Sequence, residues 1–125
     1  MMYDTDILIW IQRGNEKAAR LIEKDDDKFL SIQSYMELLQ GAKNKQQHRY
    51  VKNFIYDFGF SILPFTENIG HRALVYVEGH ALSSNMRAGD AIIAATATEN
   101  NMMLVSSNAK HFKVIEELQF KVFNP

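Results

Sequence analysis

The chain has 125 residues, 46% of them apolar and 23% charged, with 14 basic and 15 acidic side chains for a net charge of −1. That composition supports one domain with a real core and excludes a disordered chain. It also excludes a module that holds nucleic acid through bulk positive charge, so any contact with a polyanion must be local. The longest apolar runs are about five residues, against the ~20 of a membrane helix, and no secretory leader is visible. With no cysteine, disulfides, thiolate ligands and cysteine nucleophiles are excluded, which suits a reducing compartment such as the cytoplasm.

Met1 to Asp4 is expected as a short buried strand, with Asp4 at its carboxyl end. Ile7 to Gln12 begins a helix capped by Asp4, Thr5 or Asp6, and Gly14-Asn15 breaks it. Asn15 then caps a second helix with Ala18, Leu21 and Ile22 on one face. Asp25-Asp26-Asp27 is expected as a solvated turn. Phe29 to Ser31 makes a second strand, and Ile32, Tyr35, Met36 and Leu39 mark a helix ended by Gly41.

Asn44 to Phe58 is amphipathic, with Val51, Phe54, Ile55 and Phe58 inward and a separate stripe of Lys45, His48, Arg49 and Lys52. Gly59 stops it, and Phe60 to Leu63 is a third strand. Glu67 to His80 reads as a helix through Ile69, Ala73, Tyr76 and Val77. Gly89-Asp90 opens an alanine-rich central helix reaching about Asn100. Met102 to Val105 is a fourth strand and Gln119 to Phe123 a fifth, at an edge. Strands alternating with helices predict one α/β/α domain over residues 1–125, a three-layer sandwich with a parallel sheet of four or five strands. Sites in such sheets form beyond the strands' carboxyl ends, where Asp4 and Ser106-Ser107-Asn108 fall.

Four acids carry most of the chemical information. Asp4 and Asp6 lie between Met1-Met2-Tyr3 and Ile7 to Ile11, Glu37 lies within Ile32 to Leu39, and Asp90 immediately precedes Ala91-Ile92-Ile93. Unpaired acids near a core are costly, and gathering them adds repulsion. A hard divalent cation removes both costs, and an all-oxygen donor set suits Mg²⁺ or Mn²⁺ better than zinc. The helix-start partial charge also favours an anion at Asp90. Taken singly, Asp4, Asp6 and Asp90 are better read as helix caps, and Glu37 as solvent-facing.

The strings Met2-Tyr3-Asp4-Thr5-Asp6-Ile7, Ser34-Tyr35-Met36-Glu37-Leu38-Leu39, Arg87-Ala88-Gly89-Asp90-Ala91-Ile92 and Leu104-Val105-Ser106-Ser107-Asn108 resemble, in order and interval, the motifs of PIN domains. The compact length resembles the VapC toxins of toxin–antitoxin pairs. The resemblance implies an endoribonuclease dependent on Mg²⁺ or Mn²⁺ that leaves a 5′ phosphate and a 3′ hydroxyl. It implies Asp4 and Asp90 as principal metal ligands, and Glu37 as a ligand through water or the group orienting the attacking water. Asp6, Thr5, Ser106 and Asn108 are implied as auxiliary residues, Asn108 standing where a fourth acid is common. It further implies a homodimer held inactive by a cognate antitoxin, whose segment covers the site.

Arg87 is a candidate for contacting RNA phosphate, Lys110 and His111 lie just past Asn108 and could also reach substrate, and the four histidines are expected to be surface or structural rather than catalytic. Trp10 is expected in the core or at a partner surface, and Met102 and Met103 in the core. Two rival classes are a non-catalytic PIN-like binding module and a phosphatase of the haloacid-dehalogenase type. The second lacks a suitable residue at Leu8 and a late acidic pair.

Overall fold

The computed structural model describes residues 1–125. Five short parallel strands form one sheet: β1 (Met2–Tyr3), β2 (Phe29–Ser31), β3 (Ser61–Leu63), β4 (Leu104–Ser106) and β5 (Phe120–Val122), in the order β3-β2-β1-β4-β5. The strands are linked by α1 (Thr5–Gln12) and α2 (Glu16–Glu23), α3 (Ile32–Gly41) and α4 (Lys45–Asp57), α5 (Glu67–Ser84) and α6 (Ala88–Glu99), and the single turn α7 (Ala109–Phe112). The register pairs Met2 with Leu104 and Tyr3 with Val105 on β4, and Met2 with Phe29 and Tyr3 with Leu30 on β2.

Because side chains alternate along a strand, neighbouring residues feed opposite faces. Met2 and Leu104 pack with Ile69, Ala73 and Tyr76 of α5 and with the alanines of α6. Tyr3, Leu30 and Val105 pack with Ile7 and Leu8 of α1, Ala18 and Ile22 of α2, and Val51, Phe54 and Ile55 of α4. Both faces are covered, giving the expected three layers. On α6, Ala91, Ala94, Ala95 and Ala97 have no exposed surface, so the helix lies close against its neighbours because its side chains end at Cβ. No helix is long and apolar enough to cross a membrane.

Local chemistry sets the helix ends. Asp4, Asn15, Ser31, Asn44 and Thr66 cap α1 to α5, each accepting a backbone N–H through its side chain. Gly59 turns the chain after α4 at φ +71°. Helix α5 runs one turn beyond the expected His80 and ends at Asn85 in the left-handed conformation, a geometry asparagine tolerates. The polar links between elements are equally specific. Arg72 bonds both Glu99 and Glu117, and the Tyr76 hydroxyl also bonds Glu117, tying α5 and α6 to the segment before β5. The Tyr76 hydroxyl and the Arg72 guanidinium hold the Glu117 carboxyl below the usual carboxylate range.

Two local expectations are corrected. Asp25 does not belong to a solvated turn: its Oδ2 accepts from the Met1 amino group at 2.9 Å and from the Tyr3 hydroxyl at 2.7 Å. Burial works against that carboxylate, but these two donors hold it below its ordinary range. Met103 is exposed rather than in the core, while Met102 packs against it from the side.

Candidate active site

The strand order reverses between β1 and β4, which leave the sheet on opposite sides of a crevice at their carboxyl ends. Asp4 follows β1 there and is 6% exposed. Its Oδ1 caps α1 by accepting from Thr5 N at 2.8 Å, and its Oδ2 accepts from Ser106 Oγ, at the end of β4, at 2.6 Å. One oxygen of Asp4 therefore caps α1 while the other is held by the end of β4.

Asp6, on the first turn of α1, accepts at Oδ2 from Ser107 N at 2.9 Å and from the Ser107 hydroxyl. Its Oδ1 is buried with no hydrogen-bond partner. Glu37 is fixed at both ends of its carboxylate: Thr5 Oγ1 donates to Oε1 at 2.7 Å and Gln33 Nε2 to Oε2 at 3.0 Å. That carboxylate lies against the start of α6, where a Cβ added to Gly89 would meet Glu37 Oε2 at 2.9 Å. Only glycine leaves room for it without a shift.

Asp90 stands at the third position of α6, with Oδ2 2.9 Å from His111 Nδ1 and 3.5 Å from Arg87 N. Asn108 donates its backbone N–H to Ser106 Oγ at 3.0 Å, and its side-chain amide lies 3.0 Å from the same His111 nitrogen. One ring nitrogen cannot donate to Asp90 and accept from Asn108 at once, so the ring's proton decides which partner it holds. Arg87 and Lys110 are exposed beside this group.

Electrostatics set Asp4 apart. Burial above all, then the negative charges of Asp6 and Asp90, push its carboxyl up to about 7, against the opposing hydrogen bonds from Ser106 and Thr5. A buried carboxylate facing two others, with an orphaned oxygen alongside, is an arrangement that a cation would relieve. No three acidic or imidazole side chains form a complete protein cage for an ion. The donor set nevertheless fits Mg²⁺ or Mn²⁺, since such hard ions accept one or two carboxylates and keep several waters.

Sequence reasoning missed two contributors, Gln33 and the crowding at Gly89. Gln33 was detectable as the i−4 neighbour of Glu37 on one helix. The crowding at Gly89 depends on a tertiary contact, as do the bonds of Ser107 to Asp6 and of His111 to Asp90, two residues whose place just beyond β4 the sequence does indicate. Trp10 is half-buried against the α1/α4 core, with the Arg13 guanidinium 5.7 Å from its ring centroid. The Lys45, His48, Arg49 and Lys52 stripe lies in solvent on α4.

A parallel sheet with oxygen-rich side chains gathered at its switch point defines a class of α/β proteins that do their chemistry at the strand ends. Residues 1–118 match the PIN domain, and the chain belongs to that family. It is 29% identical over 123 residues to a protein named Ribonuclease VapC10 from Mycobacterium tuberculosis, covering 95% of this chain and 90% of that one. Its fold superposes with a TM-score of 0.79 on a chain of a toxin–antitoxin complex from Klebsiella pneumoniae, at 26% identity, covering 99% and 96% of the two chains. VapBC2 from Rickettsia felis, solved bound to a DNA fragment from its promoter, shares the fold at a TM-score of 0.78 and 21% identity, covering 98% of each chain. Membership in the PIN family displaces the phosphatase alternative.

Proposed function

We propose that this protein is an endoribonuclease dependent on Mg²⁺ or Mn²⁺, acting in the cytoplasm as the toxin of a toxin–antitoxin pair. The observation that carries the proposal is Asp4: a buried carboxyl pushed up to about 7 by burial and by Asp6 and Asp90, beside the unpartnered Asp6 Oδ1. The relative named as a ribonuclease supports the reaction class.

Asp4 and Asp90 would hold the ion, and Glu37 would reach it through water or orient the attacking water. A bound ion of this kind stabilises charge developing on a phosphoryl group and makes water a better nucleophile. The chain's own contribution is preorganisation. Ser106 aims Asp4, Thr5 and Gln33 lock the Glu37 carboxylate, and His111 holds one oxygen of Asp90. Asn108 brings no charge, so its part is to brace Ser106 through its backbone N–H. Asp6 adds negative charge beside Asp4, and the exposed Arg87 and Lys110 can meet phosphate at the rim.

A groove of about 450 Å³ lined by Ile9, Gln12, Arg13, Leu38 and Tyr50 leads to Glu37. Its mixed apolar and polar lining suits an antitoxin segment laid towards the acids, and the Klebsiella toxin–antitoxin complex supports such a partner. A second copy of the chain would cover Leu74, Val75 and Leu82, which are exposed on α5.

The test is cleavage of labelled RNA by purified protein with Mg²⁺ or Mn²⁺, against chelator and against Asp4→Asn. Wild type should cut only with metal. The variant should fold, yet lose more activity than the roughly 10–100-fold that loss of an outer hydrogen-bond partner costs. Undiminished cleavage by a clean preparation of the variant overturns the assignment, and no cleavage by wild type favours the non-catalytic module.

A further inference from the structure

Outside the acid cluster, one groove concentrates positive charge. Lys17 and Arg20 of α2 and Lys24, the residue that caps its carboxyl end, stand three and four positions apart and fall on one side of the helix. Lys121 faces them from the edge strand β5, and Phe123 and Asn124 also line the groove. The groove measures about 490 Å³, and no acidic side chain lines it. Lys17 Nζ donates to the Asn124 carbonyl at 3.0 Å, and Arg20 reaches only its own helix's exposed Glu16, at 3.7 Å. Lys24 and Lys121 are exposed. A lysine on an edge strand guards against stray strand pairing. That accounts for Lys121 but not for three cations facing it.

We infer that this groove holds the phosphodiester backbone of the RNA substrate beside the bond to be cut, an inference that rests on the nuclease reading of the acid cluster. Its position argues for that occupant. The Phe123 N–H donates to the Ser106 carbonyl at 2.8 Å, and Ser106 Oγ donates to Asp4 at 2.6 Å. The part of the groove lined by Phe123 is therefore one strand spacing, about 4.8 Å, from the strand that aims Asp4. Four clustered acids repel a polyanion, and a chain of net charge −1 cannot offset that globally. Cations along the approach supply the attraction locally, and a flexible single strand can follow them into the crevice.

The experiment measures binding of a fluorescein-labelled single-stranded RNA of mixed sequence in chelator, across a salt series, and separately the kinetics of its cleavage with Mg²⁺. Lys24→Gln/Lys121→Gln is compared with Lys45→Gln/Lys52→Gln, an equal charge change on the solvent face of α4. The groove variant should bind ~10-fold more weakly and flatten the log–log salt slope by about 1.4, two phosphate contacts' worth for a single strand. Its KM should rise with kcat unchanged, as loss of uniform binding requires. The α4 variant should match wild type.

Equal losses in both variants, or none in the groove variant while wild type cleaves normally, overturn the groove and leave the nuclease reading standing. Weakened binding of a poly-glutamate peptide with unchanged RNA binding overturns it in favour of an acidic protein partner. Failure of wild type to cleave at all overturns the nuclease reading, and the groove inference falls with it.

Discussion

Glu37 shows how far single residues control this site. Its carboxylate is held by Thr5 and Gln33 and pressed against the backbone at Gly89. In Gly89→Ala the new Cβ would meet Glu37 Oε2 at 2.9 Å and Gln33 Nε2 at 3.3 Å, both at the ends of flexible side chains. The fold should survive, and thermal stability should hold or rise, because alanine favours a helix over glycine by up to ~1 kcal/mol. Catalysis should fall about 10–100-fold as the carboxylate is displaced. An unchanged kcat with a normal melting curve would refute the role given to Gly89. That Glu37 would not lie free in solvent was legible from its apolar flanks. The need for glycine opposite it was not, because α3 and α6 meet there only in three dimensions.

At the scale of elements, the chain is readable where periodicity and caps agree. Asn15, Asn44 and Gly59 mark their boundaries in both sequence and structure. The turn α7 has only four residues and no apolar period, so nothing local announces it, although it carries His111 to Asp90. The end of α5 was missed because Ala81 to Ser84 carry no stop signal before Asn85. The alanine run of α6 was correctly informative, since small side chains all round a helix mean close neighbours. Ala95→Leu should therefore overpack this layer and cost about 1–3 kcal/mol, read as a lower urea midpoint. A substitution tolerated without loss would mean that α6 has slack the packing does not show.

Across the whole molecule, Asp4 links protonation to stability. Between its ordinary 3.8 and about 7, the folded chain keeps a proton that the unfolded chain has released. Stability of the metal-free protein should therefore fall as pH rises through that window, by on the order of 4 kcal/mol at most. Melting temperatures from about pH 5 to about pH 8 should decline for wild type and decline less for Asp4→Asn. Added Mg²⁺ should restore stability at the upper end, because a ligand that binds only the folded state stabilises it. A wild-type profile that rises over this range would contradict the burial assigned to Asp4.

The bond between Asp4 and Ser106 spans 102 positions of the chain. A ribosome-bound fragment that stops short of β4 carries Asp4, Glu37 and Asp90 but lacks the Ser106 hydroxyl that aims the first of them. Reactivity would thus arrive late in synthesis and nearly at once, when the last strands dock, leaving little time in which a half-made chain could damage RNA before a partner reaches it.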